Sequence, residues 1–238
     1  MSPNVFVEFE HQKLIRLLFR ISGVLVIIHL VNYVLGGPSW QMERLFALGE
    51  EANIPTWFSS AIWALTALAA YRCSKLAEKL NRTLWILIAL GLLAFSVDEV
   101  AMIHEHLFAV ISRFFPHEFR VQILSSFKAT NWPIIASPFL VLTLIWLGLT
   151  FRRLLKGSKE AQKLLMLGFA VVVFSGWALE ITTNFLNHVD LQWVWELESA
   201  IEEAFELIGS IVILSGLFKH YEWLTFKNIV SRLETTSI

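Results

Sequence analysis

Asp98, Glu99, His104, Glu105 and His106 fall within residues 96–106, directly after an apolar run at 84–95 that is too short to cross a bilayer alone. Completing that span draws the acids toward membrane depth, where an ionisable group is costly and usually functional. Two further segments bring carboxylates to the same level. With a rise of about 1.5 Å per residue, Asp98 sits about 22 Å up its span, Glu180 about 24 Å, and Glu202 and Glu203 about 22–24 Å. In a hydrocarbon core of roughly 30 Å these residues share the outer third. Carboxylate oxygens with one or two imidazoles and no thiolate suit a divalent cation such as Mn, Fe, Ca or Zn. The expected metal ligands are therefore Asp98, Glu99, His104, Glu105, His106, Glu180, Glu202 and Glu206.

Spacing refines this set. Glu198, Glu202 and Glu206 recur every four residues, a stripe of carboxylates that repel one another. They need protons, a cation or a water-filled cavity. Trp177, Glu180, Asn184 and His188 form a similar stripe. On an unbroken helix Asp98, Glu99, Met102, Glu105 and His106 share one broad arc, while His104 points elsewhere unless a bulge re-aims it. The competing interpretation is an acidic rim that simply faces water.

The elements that must position these groups are transmembrane helices. The chain has 238 residues, 56% hydrophobic and 16% charged, with a mean hydropathy of +0.61. Such a composition predicts an all-α polytopic membrane bundle forming one domain over the whole chain. Six spans are expected near 17–36, 56–73, 83–106, 132–151, 164–187 and 194–218. The basic N-terminal approach and first apolar run read as an uncleaved first span. All but four of the 19 Lys and Arg (Arg44, Arg113, Arg120 and Lys128) lie on one side of these spans. By the positive-inside rule both termini are cytoplasmic and the acidic level lies toward the opposite face. Residues 39–49 predict a short amphipathic helix capped by Gly49, and 114–127 a second interfacial helix. The tail from 219 to 238 is expected on the cytoplasmic surface.

Other chemistry is poorly supported. Cys73 is the only cysteine, which removes an intrachain disulfide and a thiolate metal site. Glu8 and His11 match Glu-x-x-His but have no partner motif, and no His-Glu-x-x-His occurs. There is no phosphate-cradling Gly-rich loop and no basic nucleic-acid patch. Ser59, Ser60 and Ser96 lack a marked base as nucleophiles. His29 and Asn32 suit hydrogen bonding between helices. His117 and His220 are expected at the surface, and Glu196 in water.

Three stretches, 51–60 (EANIPTWFSS), 96–107 (SVDEVAMIHEHL) and 202–209 (EEAFELIG), resemble a loosely defined group of bacterial multi-pass inner-membrane proteins. The resemblance implies a localisation and no chemistry, and it raises interest in His104 and Glu105. The pattern of membrane hydrolases related to alkaline ceramidases is incomplete in this chain: its final His-x-x-x-His is absent and the span count is short. The functional expectation is a membrane protein with a cation site, suited to catalysis on a lipid or membrane-soluble substrate. The alternatives are cation or proton transport, or a non-catalytic subunit. Membrane lipid is the expected surrounding, and a membrane-protein partner or second copy of the chain the expected association.

Overall fold

A computed structural model describes residues 3–36, 40–116, 132–179, 181–182 and 192–236, and every regular element among them is helical. In chain order these are α1 (Pro3–Val34), α2 (Trp40–Phe46), α3 (Ile54–Leu76), α4 (Lys79–Ala101), α5 (Ile103–Ser112), α6 (Trp132–Leu154), α7 (Lys159–Val173) and α8 (Gln192–Thr236). A π-helical turn, Phe174–Leu179, continues α7.

Four described stretches are long and apolar enough to cross a membrane: Glu10–Val34, Lys79–Ala101, Trp132–Leu154 and Lys159–Leu179. Their large apolar side chains face outward, among them Ile27, Leu90, Leu142 and Leu149. In water such a surface would aggregate; in lipid it is the ordinary exterior of a bundle. Helices α3 and α8 are less apolar because they are central. Helix α8 packs against α1, α3 and α7, and α3 also packs against α4. Thr66 and Ser74 of α3 are buried, their hydroxyls donating to the Ile62 and Tyr71 carbonyls of their own helix. A helix shielded from lipid by its neighbours can carry such groups at little cost.

The core runs through Ile62, Ala70 and Cys73 of α3, Trp85 and Leu92 of α4, Leu165 of α7, and Leu207, Ile211, Leu214 and Leu217 of α8. Helices α7 and α8 meet at two glycines. A Cβ on Gly168 would come within 2.8 Å of the Gly209 carbonyl oxygen, and one on Gly209 within 3.0 Å of the Gly168 carbonyl oxygen. Small residues that let backbones approach this closely are a principal source of helix association in membranes.

Several boundaries differ from the sequence reading. The third span does not run to 106: α4 stops at Ala101, Met102 takes a left-handed conformation (φ 48°), and α5 begins at Ile103. The Met102 N–H closes α4 onto the Asp98 carbonyl at 2.7 Å, the single-bond form of a left-handed helix cap. The predicted amphipathic helix at 39–49 is present as α2, but it ends at Phe46 and Gly49 does not cap it. Gly49 instead lies against α8, where a Cβ would meet Ser199 Oγ at 2.9 Å. The turn into α3 is built by Asn53, whose Oδ1 accepts from Thr56 N–H at 3.1 Å, with Pro55 in the first turn. Of the second interfacial helix, 117–127 lies outside the described residues. The tail is helical: α8 continues unbroken to Thr236, 45 residues in all. His11 holds α1 to this extension, with Nδ1 at 2.9 Å from Glu222 Oε1 and its ring stacked on Phe218 at 4.0 Å.

Candidate functional site

The break at Met102 decides where His104 points. One left-handed residue ends α4 and re-aims the chain into α5. The Asp98 carboxylate then accepts the His104 backbone N–H at 2.8 Å and lies 2.7 Å from His104 Nδ1. One acid therefore caps α5 and orients the imidazole. With Nδ1–H directed to Asp98, Nε2 carries the lone pair, the arrangement that makes an imidazole a base or a metal ligand. Trp132 at the start of α6 packs edge-on against the ring at 4.8 Å.

Glu99, next in sequence, faces α3. Trp63 Nε1 donates to Glu99 Oε1 at 3.0 Å, and Ser59 supplies a second hydrogen bond. Glu51 and Asp98 are the acids that act on it. Ser60 and Ser96 are paired across the same helices, each hydroxyl donating to the other residue's carbonyl, at 2.7 and 2.9 Å, so neither stands poised as a nucleophile.

Helix α8 contributes through Glu203. Ala200, Leu207, Ser210, Leu214 and Leu217 are buried along one face, and Glu203 falls in that row, three residues after Ala200 and four before Leu207. The charged groups acting on Glu203 are Glu206, Glu99, Glu202 and Glu51. Glu206 Oε1 lies against Gly176 in the π-helical turn, where a Cβ would stand 2.7 Å from it. Carboxylates from α4, α8 and the turn before α3 are thus gathered at one level. Ala52, beside Glu51, has a φ of 59°. A left-handed alanine and a left-handed methionine therefore flank the site, and non-glycine residues in that region cluster at functional positions.

The predicted ligands stand differently. Glu99, Glu202 and Glu206 act on Glu203, Asp98 acts on Glu99, and His104 is bonded to Asp98. His106 is exposed, with Nδ1 2.8 Å from the Met102 carbonyl oxygen. Glu105 is in α5, but its side chain lies outside the described residues, as do Glu180, Asn184 and His188. Among the described residues no three His, Cys, Asp or Glu groups already converge as a metal centre. The donor types match a hard cation; the described geometry does not supply a preformed coordination shell.

Two residues gain roles that spacing did not disclose, Glu51 and Glu203. His29 ties three elements together. Leu48 N–H donates to Nδ1 at 3.3 Å, and Nε2 lies 3.4 Å from the Glu196 carbonyl oxygen and 3.7 Å from its carboxylate. This agrees with the expected interhelical role of His29, and it places Glu196 in a half-buried contact rather than free in water. Beside it opens a cavity of about 440 Å³, lined by His29, Asn32, Arg44, Glu50, Glu196 and Ser199. The buried Asn32 Nδ2 has no hydrogen-bond partner among the described residues.

Residues 18–221 match the model of a family described as a domain of unknown function, DUF8692, and the chain belongs to that family. No curated protein matches the chain, and no solved structure does.

Proposed function

We propose that this member of the DUF8692 family is a six-span protein of a bacterial inner membrane that binds a divalent cation at the carboxylate group around Glu203. The observation that carries this reading is the charge environment of Glu203, whose acting neighbours are four carboxylates drawn from three elements. Carboxylates brought together at reduced solvent exposure repel strongly unless protons or a cation compensate them. Glu99, Glu202, Glu203 and Glu206 are the binding residues in this reading, with Asp98 orienting His104 as a neighbouring nitrogen donor.

The orientation follows from the basic residues. Lys75, Lys79, Arg82, Arg152, Arg153, Lys156, Lys159 and Lys163 lie at the α3–α4 and α6–α7 connections. The positive-inside rule puts that end, and both termini, in the cytoplasm and the acid group toward the periplasm. Helices α3 and α8 then complete the six spans. The Asp98–His104 pair favours one extension of this reading: a carboxylate-oriented imidazole is a general base for a lipid or other membrane-soluble substrate. Transport is less well supported, because below the acids the described core is formed largely by Ile62, Leu92, Ile211 and Leu214, and the buried Thr66 and Ser210 hydroxyls donate to carbonyls of their own helices.

The test is metal analysis of the purified full-length protein equilibrated with Mn, Ca or Zn. One ion per chain is expected, lost in Glu203→Gln, an isosteric change chosen to preserve packing. A folded wild-type protein that binds no ion at near-millimolar concentration would show that protons compensate the carboxylates instead.

A further inference from the structure

At the opposite end of the bundle from the acids, a second cavity of about 230 Å³ opens where α3 ends, α4 begins, α6 ends and α8 passes. Arg153, Lys156 and Lys227 line it, against a single acid, Glu78. Arg153 and Lys156 make no ion pair among the described residues, and Lys227 lies over the Trp223 ring at 5.5 Å from its centroid. His220 lines the floor. It is 0% exposed, and neither Nδ1 nor Nε2 has a hydrogen-bond partner among the described residues. Trp85 and Trp223 flank its ring at 5.1 and 5.5 Å. A neutral imidazole has one N–H donor and one acceptor, and leaving both unmet in a buried position costs free energy. The Trp223 wall is seated with little clearance: a Cβ on Gly157 (φ 99°) would stand 2.7 Å from Trp223 Cζ2.

We propose that this cavity binds a phosphate group, carried on an anionic lipid headgroup or on a soluble phosphate, with Arg153, Lys156 and Lys227 supplying the charge and the His220 N–H a hydrogen bond. Basic pockets between membrane helices are suited to phosphorylated headgroups, and arginine pairs phosphate oxygens two at a time. The α4 N-terminus adds to this, since Glu78 makes no side-chain cap and leaves the first-turn N–H groups for an anion. The site shares no residue with the acid group, so its failure and that of the cation reading are separable.

The experiment uses the full-length protein in a neutral detergent, titrated with short-chain phosphatidylglycerol, matched phosphatidylcholine, or inorganic phosphate while its thermal midpoint is followed. A saturable rise with phosphatidylglycerol and none with phosphatidylcholine is expected. Arg153→Gln combined with Lys227→Gln, both exposed positions, weakens the response roughly tenfold, whereas Arg113→Gln at the other end leaves it unchanged. A rise with inorganic phosphate alone that reaches the same plateau identifies a soluble phosphate as the source; a rise only with phosphatidylglycerol identifies the lipid. His220→Phe, which keeps the ring stack, lowers affinity while the fold survives; if it does not fold, the Arg153/Lys227 variant decides. Equal shifts with both lipids, or an unchanged response in that variant, overturns the proposal.

Discussion

Asp98 holds His104 twice, at the backbone nitrogen and at Nδ1, across a single left-handed residue. The first bond caps a helix and the second fixes a tautomer, so the two roles separate by substitution. Asp98→Asn keeps an acceptor for the backbone N–H, whereas Asp98→Ala loses both bonds. The alanine variant should be less stable by about 1 kcal/mol, the usual worth of an N-cap, and the asparagine variant by less. Thermal unfolding in detergent measures this. NMR of the imidazole nitrogens should show the tautomer released in both.

Met102 should tolerate glycine better than any other replacement. Its φ of 48° strains a side chain, and glycine removes that strain. Met102→Gly is expected to be neutral or stabilising by up to about 1 kcal/mol, while Met102→Val is destabilising. Denaturation midpoints of the two variants against wild type decide it.

The glycine seam between α7 and α8 should be intolerant of bulk. Gly209→Val adds a side chain whose Cβ would stand only 3.0 Å from the Gly168 carbonyl oxygen. Overpacking of this kind costs about 1–3 kcal/mol. A Gly209→Val protein that unfolds at the wild-type temperature would contradict the close crossing.

Removing one charge from the acid group should help the fold when no cation is present. Glu203→Gln deletes a carboxylate whose acting neighbours are carboxylates. In a chelator its thermal midpoint should exceed wild type, and on adding a divalent cation the order should reverse. Equal midpoints in both conditions would mean that Glu203 is compensated by neither route.

His220 sets an acid limit on stability. Burial lowers its pKa from 6.5 to about 4. The folded protein therefore holds this imidazole neutral while the unfolded chain protonates it, so the contribution is complete above about pH 6.5 and is lost as pH falls toward 4. The shift corresponds to about 3 kcal/mol. His220→Phe should flatten that part of the pH–stability curve relative to wild type, compared by denaturation at pH 7 and pH 4.5.

The helices are legible in the sequence because apolar runs of this length admit little else, and the four apolar spans fall close to the expected positions. The break inside the third span is not. Val100, Ala101, Met102 and Ile103 contain neither glycine nor proline, and the left-handed turn is stabilised by Asp98, a partner that spacing alone does not designate. The acid level is legible from counting residues along each span, but the face of α8 is not. The 198/202/206 stripe competes with the row through Glu203, and the choice between them is made by the buried face that α8 turns to its neighbours. Following the last apolar run, His220 reads as a surface residue; it is buried because α8 does not end there and carries it between Trp85 and Trp223. Grouping His106 with the acids presumes a continuous helix, and the turn at Met102 removes that premise.

Helix α8 runs for 45 residues without a break, about 67 Å of rod. Glu203 and Glu206 stand near one end and His220 and Trp223 are fixed to the same shaft farther on. An α-helix has little torsional give between its turns, so a rotation that swings the carboxylates through some angle swings the imidazole and its tryptophan through nearly the same angle. The two ends of the bundle cannot be re-aimed independently by turning this helix; either the carboxylate group and the His220 cavity both change shape or neither does.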